Sequence, residues 1–223
     1  MATPGVTSVV LVDDHPVVLD GVVEFLRKAP EFDVVAECRN GQHGLEALRQ
    51  FRPAIAVLDF SLPDMDGLEL LDVIAAENLA TRTLFFSAAP TDGQVAKALA
   101  GGAFGVVLKD VRLDELRHAL NEVSEGRSLP LSGFVRAAIE RERQRVARAN
   151  MIHQLLTERE RQILMLAASA LSNKEIGNKL ELVEGTVKIH VHNIYRKLGI
   201  GSRTALIDLV DECREKLKNE AQA

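Results

Sequence analysis

The first 128 residues alternate between two hydrophobic periods. Short, nearly continuous apolar runs occur at residues 8–12, 33–37, 54–58, 83–86 and 104–108. Between them, apolar residues recur at helical spacing over residues 17–26, 45–51, 67–76, 93–100 and 113–123. Strands of this kind alternate with helices when a parallel sheet is covered on both faces, because each right-handed crossover lays a helix on the sheet. The pattern predicts an α/β fold with a five-stranded, doubly wound parallel sheet. In such sheets ligands bind at the carboxyl ends of the strands. The residues with chemistry in them obey that rule. Asp13 and Asp14 follow the first strand, Asp59 the third, Ser87 the fourth and Lys109 the fifth.

After Gly126 the strand pattern stops. Residues 129–154 carry Arg136, Arg141, Arg143, Arg145 and Arg148, with Glu140 and Glu142 interspersed. This segment reads as a charged, helical or partly helical linker. Its alternatives are a solvated face and a DNA-contacting one. From Leu155 onward every segment is helical. Thr157 with Glu160, and Ser172 with Glu175, have the spacing of capping boxes that open helices reaching about Ala170 and Leu180. Two more helices follow, one over residues 184–198 and one from Ser202 to about Leu217, with Gly199 and Gly201 between them. The expectation is an α/β domain over 1–128, the linker over 129–154, and a small all-α four-helix domain over 155–223.

Two short helices joined by a tight turn form a helix-turn-helix. On the third helix of the last domain, Val187, Val191, Ile194 and Leu198 share one face and pack inward. The opposite face presents Ile189, His192 and Arg196, flanked by Lys188 and Asn193. Such a face suits a DNA groove: Lys or Arg donates to guanine, Asn bonds adenine, and an exposed aliphatic group meets a thymine methyl.

Composition sharpens this division. Of 223 residues, 47% are hydrophobic and 26% charged, so the chain is globular rather than disordered. No apolar run approaches the ~18 residues of a membrane helix. Met1 to Gly5 lacks the cationic and apolar regions of a secretory signal, so a cytoplasmic protein without membrane contact is expected. Cys38 and Cys213 have no metal-type spacing and read as reduced packing residues. The net charge of −5 argues against nucleic acid only as an average. Residues 1–130 hold 11 Lys and Arg against 20 Asp and Glu, whereas residues 131–223 hold 16 against 12. An acidic half joined to a basic half points to different partners for each.

Three aspartates converging on one sheet edge repel one another, and their ionised forms need a compensating cation. All-oxygen ligation with open positions suits Mg²⁺. Lys109 adds a fixed positive charge. Metal, lysine and hydroxyl together would stabilise a phosphoryl group in transfer, with Asp59 as the nucleophile.

These residues resemble the receiver domain of two-component response regulators. The resemblance rests on Val12-Asp13-Asp14-His15-Pro16, on Leu58-Asp59 followed by Leu62-Pro63-Asp64-Met65-Asp66-Gly67, on Phe86-Ser87-Ala88, and on Leu108-Lys109-Asp110. It implies a flavodoxin-like fold, Asp59 as phosphoacceptor, and Mg²⁺ held by Asp13, Asp14, Asp59 and the Ser61 backbone carbonyl. It also implies Ser87 as the switch hydroxyl, Lys109 on the phosphoryl group, and a sensor histidine kinase as donor. His15 reads as a surface residue, Met65 as loop packing and Asp66 as a helix cap.

A second resemblance covers residues 155–220. Leu156-Thr157-Glu158-Arg159-Glu160, Leu171-Ser172-Asn173-Lys174-Glu175-Ile176 and Glu184-Gly185-Thr186-Val187-Lys188-Ile189-His190 are similar to the LuxR-type DNA-binding domain. The whole then resembles a NarL/FixJ-type response regulator, a DNA-binding transcription regulator and not an enzyme. The resemblance implies base contacts from Lys188, Ile189 and His192. It implies backbone contacts to double-stranded DNA from Asn173, Lys174, Thr186, Tyr195, Arg196 and Lys197. A homodimer on DNA would pair through Leu206, Leu209, Val210 and Cys213.

Departures keep two rivals open. Val106 stands where the family commonly has the aromatic half of its switch, which keeps open, as a rival, a regulator that binds DNA without phosphorylation and uses its receiver for protein contacts. An aspartyl-phosphate phosphatase of the haloacid-dehalogenase type also uses an Asp nucleophile and Mg²⁺, but it carries a second Asp where this chain has Ser61. In the last domain, Val183 replaces the usual Ser or Thr cap before Glu184, and Glu181 stands at the turn.

Overall fold

The computed structural model describes residues 5–220, with the backbone alone given for 214–220. The Met1 to Pro4 stretch weighed as a signal lies outside the described residues. Five strands, β1 (Thr7–Val12), β2 (Phe32–Cys38), β3 (Ile55–Leu58), β4 (Arg82–Ser87) and β5 (Gly105–Leu108), pair in parallel in the order β2-β1-β3-β4-β5. Five helices alternate with them: α1 (Pro16–Arg27), α2 (Gly41–Phe51), α3 (Gly67–Ala76), α4 (Asp92–Ala100) and α5 (Leu113–Ser124).

The strands are apolar on both sides because both sides are covered. Val9, Leu11, Ile55, Val57, Leu84 and Phe86 are buried against α1 and α5. Their strand neighbours Val10, Val12, Ala56, Leu58 and Phe85 are buried in the cluster with α2, α3 and α4. On that second face the Phe60 and Phe85 rings stack at 4.1 Å. Val106 is buried there too, in one cluster with Val95 and with Val135 and Ala138 of the next helix, α6 (Gly133–Leu155).

The strand order reverses between β1 and β3, so their carboxyl ends diverge around a crevice. Local chemistry holds its rim. Asp66 caps α3 by accepting the Leu68 N–H at 3.0 Å, as the sequence suggested. Helix α2 begins at Gly41, four residues before its apolar period, because two carboxylate or amide groups take its first N–H groups. Asn40 accepts from His43, and Asp64 from Gly41 at 2.7 Å and Gln42 at 2.9 Å.

Two compact units divide between Glu140 and Arg141, inside α6. The segment expected as a linker is therefore one 23-residue helix whose early residues belong to the first unit and whose later residues, Ala149 and Ile152, are buried in the core of the second. The second unit continues with α7 (Glu158–Ala168), α8 (Asn173–Leu180), α9 (Glu184–Leu198) and α10 (Arg203–Glu220). Both predicted capping boxes are formed. The turn between α8 and α9 is tight: Leu182 N–H donates to the Gly177 carbonyl at 2.9 Å, and a Cβ on Gly177 would lie 2.5 Å from the Leu182 oxygen. Glycine is what allows that approach.

Candidate functional site

Asp59 ends the β3 segment with only 3% of its surface exposed, and its backbone N–H donates to the Val12 carbonyl at 2.9 Å. Both of its carboxylate oxygens are engaged. Ser87 Oγ donates to Oδ1 at 2.6 Å, and Lys109 Nζ donates to Oδ2 at 2.6 Å. The ammonium also lies 2.7 Å from Asp13 Oδ2. Burial works against the Lys109 charge, but the hydrogen bonds and charges of Asp13 and Asp59 outweigh it and hold its pKa above the ordinary lysine value. The strand ends thus bring together Asp13, Asp14, Asp59, Ser87 and Lys109, as their positions predicted. Ser61 lies two residues beyond Asp59, in an exposed bend bridged to Asp66.

Three carboxylates face one ammonium here, so the pocket is left anionic. Asp14 Oδ1 has the His15 ring Nδ1 beside it at 2.6 Å, and the Asp14 side chain is only partly buried. The donors are oxygens, hard ligands that suit Mg²⁺. By this test the residues fit a divalent cation. The side chains of Asp13, Asp14, His15 and Asp59 offer ligand atoms that all lie within 4.8 Å of one another. His15, read from the sequence as a surface residue, is exposed, yet its ring turns toward the acidic pair. Only the tertiary fold shows this, since an imidazole next to two aspartates in sequence can point either way.

A second candidate surface lies on α9. Val187, Val191 and Ile194 are buried in the unit's core, with Leu198 partly buried against it. Lys188, Ile189, His192 and Arg196 are exposed on the other side, Ile189 at 64%. Thr186 and Tyr195 are half-buried, as is Asn173 at the start of α8, while Lys174 is exposed. Lys188 pairs with Glu184 at 3.1 Å and Arg196 donates to Asn193 at 3.3 Å, both on the helix surface. Lys197 differs. Its ammonium turns to the buried Glu160 at 2.6 Å and braces the fold. The residues expected to pair two subunits need a correction as well. Leu206, Val210 and Cys213 are fully buried in the unit's own core, and only Leu209 keeps surface to offer. A helix in a four-helix unit must fill that unit's core first, and the same apolar stripe cannot serve both.

Comparison with known proteins agrees with this geometry. Residues 9–121 match the response regulator receiver domain, and residues 154–210 match the bacterial regulatory proteins of the luxR family. The nitrate/nitrite response regulator NarL of Escherichia coli is 36% identical over 199 residues, covering 88% of this chain and 91% of that protein. The DNA-binding transcriptional activator DevR/DosR of Mycobacterium tuberculosis is 36% identical over 197 residues, covering 88% and 90%. Among solved structures, the receiver domain of a response regulator NarL from Mycobacterium tuberculosis is similar with a TM-score of 0.54 and 35% identity, over 56% of this chain and all of that one. RcsB of Salmonella typhimurium shares the fold at a TM-score of 0.66 and 22% identity, over 92% of this chain and 99% of that one.

Proposed function

We propose a mechanism from one premise: this chain belongs to the NarL-type response regulators, phosphorylation-controlled DNA-binding transcription regulators with a receiver and a LuxR-type domain. In this reading Asp59 is the phosphoacceptor. The observation that carries it is the convergence of Ser87 and Lys109 on its two oxygens. The same groups that hold the carboxylate can hold the phosphoryl oxygens that replace its charge. The donor is a sensor histidine kinase. Asp59 attacks the phosphorus, its P–O bond forms as the donor's bond breaks, and Lys109 faces the developing charge. Asp13, Asp14, Asp59 and the Ser61 carbonyl would hold Mg²⁺, which supplies charge neutralisation at the phosphoryl oxygens. The functional domains are taken as 1–128, 129–154 and 155–223, in a cytoplasmic protein. No helix of the described residues is long and apolar enough to cross a membrane.

Acyl phosphate releases Ser87 from the bare carboxylate and draws it to the phosphoryl group, which shifts a two-state equilibrium. Val106 has no ring to carry that movement. It shares an apolar cluster with Val135 and Ala138 of α6, which offers a packing route from β5 to the linker helix. The output is a homodimer on double-stranded DNA, with half-sites about one helical turn apart. Lys188, Ile189 and His192 read base edges, and Asn173, Lys174, Thr186, Tyr195 and Arg196 contact the backbone. The likeness to RcsB structures, among them an RcsB–DNA complex, supports that arrangement only at the level of fold. The test measures DNA affinity and molecular mass with and without an acyl-phosphate donor and Mg²⁺. Phosphodonor should raise both. Equal values in both conditions would overturn the mechanism.

A further inference from the structure

Thr83 stands on β4 with its side chain on the face covered by α3 and α4. Strand neighbours alternate there: Leu84 packs with α1 and α5, whereas Phe85 packs on the same side as Thr83. Only 2% of Thr83 is exposed, and no group of the protein bonds its hydroxyl. A buried hydroxyl without a partner is costly and calls for one from outside the chain. The hydroxyl is not walled in. Thr83 lines a cleft of about 350 Å³ between the ends of α3 and α4, with Leu71, Ile74 and Asn78 on one side and Gly101 and Gly102 on the other. The space over Gly102 is open, since a Cβ there would meet nothing within 4 Å. Thr81, the other hydroxyl of the cleft, is already spent on the Pro53 carbonyl at 2.8 Å.

The surroundings of this cleft are negative. Both helices end at it, and the carboxyl end of a helix carries a partial negative charge. Helix α3 has no basic residue in its last turn to offset that charge, and Arg49, which reaches the end of α3, is held by Glu77. A second cavity of about 590 Å³ shares Leu71 and Gly101 with the first and is lined by Asp66, Glu69, Asp72 and Lys97. Three carboxylates there face one ammonium. We propose that this double cleft binds a small organic amine. Its ammonium lies in the acidic trough, and an uncharged hydrogen-bonding end reaches the Thr83 hydroxyl. Leu71 and Ile74 form an apolar wall for the short carbon chain between the two ends. The volume is at the lower end of the range of small-molecule sites, which suits a ligand of this size.

The experiment titrates the full chain with 4-amino-1-butanol, butylamine and 1,4-butanediol, and reads affinity and site from the backbone amide shifts of Gly101 and Gly102 by NMR. The amino alcohol should bind about three- to tenfold more tightly than butylamine, the worth of one neutral hydrogen bond. It should also bind more tightly than the diol, which lacks the charge. Thr83→Val keeps the shape of the side chain and removes the unpartnered hydroxyl, so its melting temperature should not fall. It should erase the preference for the amino alcohol over butylamine. The double variant Glu69→Gln, Asp72→Asn should weaken both amines and leave the diol unchanged, and a thermal melt shows that it is folded. Equal affinity of wild type for the three probes, titrations that leave Gly101 and Gly102 unmoved, or a preference that survives Thr83→Val overturns the proposal.

Discussion

Lys197 Nζ lies 2.6 Å from Glu160 Oε2, the oxygen that also accepts the Thr157 N–H at 2.9 Å. One carboxylate thus closes the capping box of α7 and ties down the last turn of α9. Lys197→Met should lower the stability of the second unit by about 1 kcal/mol, the scale of a partly exposed ion pair with good geometry. It should leave the salt dependence of DNA binding nearly unchanged, because its charge is already spent. Urea unfolding and a salt titration of affinity check the two parts. Burial pushes the Glu160 pKa up, but the bonds from Lys197 and Thr157 win and hold it below its ordinary 4.5. Such a group stabilises the fold above about pH 4.5, and the contribution is lost as pH falls through the lower folded value. Glu160→Gln should therefore flatten the acid limb of the stability profile.

Ser87 and Lys109 divide the work at Asp59. Asp59→Asn should abolish labelling by a phosphodonor. Ser87→Ala should retain labelling but lose most of the gain in DNA affinity that follows it, because the hydroxyl reports the phosphoryl group and does not form it. Mass spectrometry and a binding isotherm on each variant separate the two effects. Label retained at another residue in Asp59→Asn would refute the assignment of Asp59.

Gly67 touches the phosphoacceptor's own backbone. A Cβ there would lie 2.1 Å from the Asp59 carbonyl oxygen, while the Gly67 N–H bonds the Phe60 carbonyl at 2.9 Å. Gly67→Ala should cost roughly 1–3 kcal/mol of stability by forcing the backbone apart. The loss of phosphodonor labelling should exceed what unfolding alone explains, since the displaced atom belongs to Asp59. Thermal melts and labelling rates measure both.

Ile189 is exposed amid polar neighbours and makes no core contact to lose. Ile189→Ala should leave stability within about 0.5 kcal/mol, as expected of a surface substitution. It should weaken specific binding and leave non-specific binding unchanged. Competition assays with specific and random duplexes decide this.

Val183 occupies the N-cap of α9 with no side-chain bond, and 74% of it is exposed. Val183→Ser should stabilise the domain by about 1 kcal/mol by giving an amide of the first turn an acceptor. It should also slow amide exchange at Gly185 and Thr186. Chemical denaturation and hydrogen exchange test this directly.

The order of strands and helices, both capping boxes and the inward stripe of α9 were legible in the chain itself, because each depends on spacing over a few residues. So was the convergence of Asp13, Asp14, Asp59, Ser87 and Lys109, since a parallel sheet collects all its carboxyl ends at one edge. Tertiary structure alone decided which donors point where. Asp64 reaching back 23 residues to start α2 early, Lys197 turning in to Glu160, and Leu206, Val210 and Cys213 filling their own core all depend on pairs distant in sequence. A side chain's partner is set by what the fold brings within hydrogen-bond reach. No local period encodes that distance.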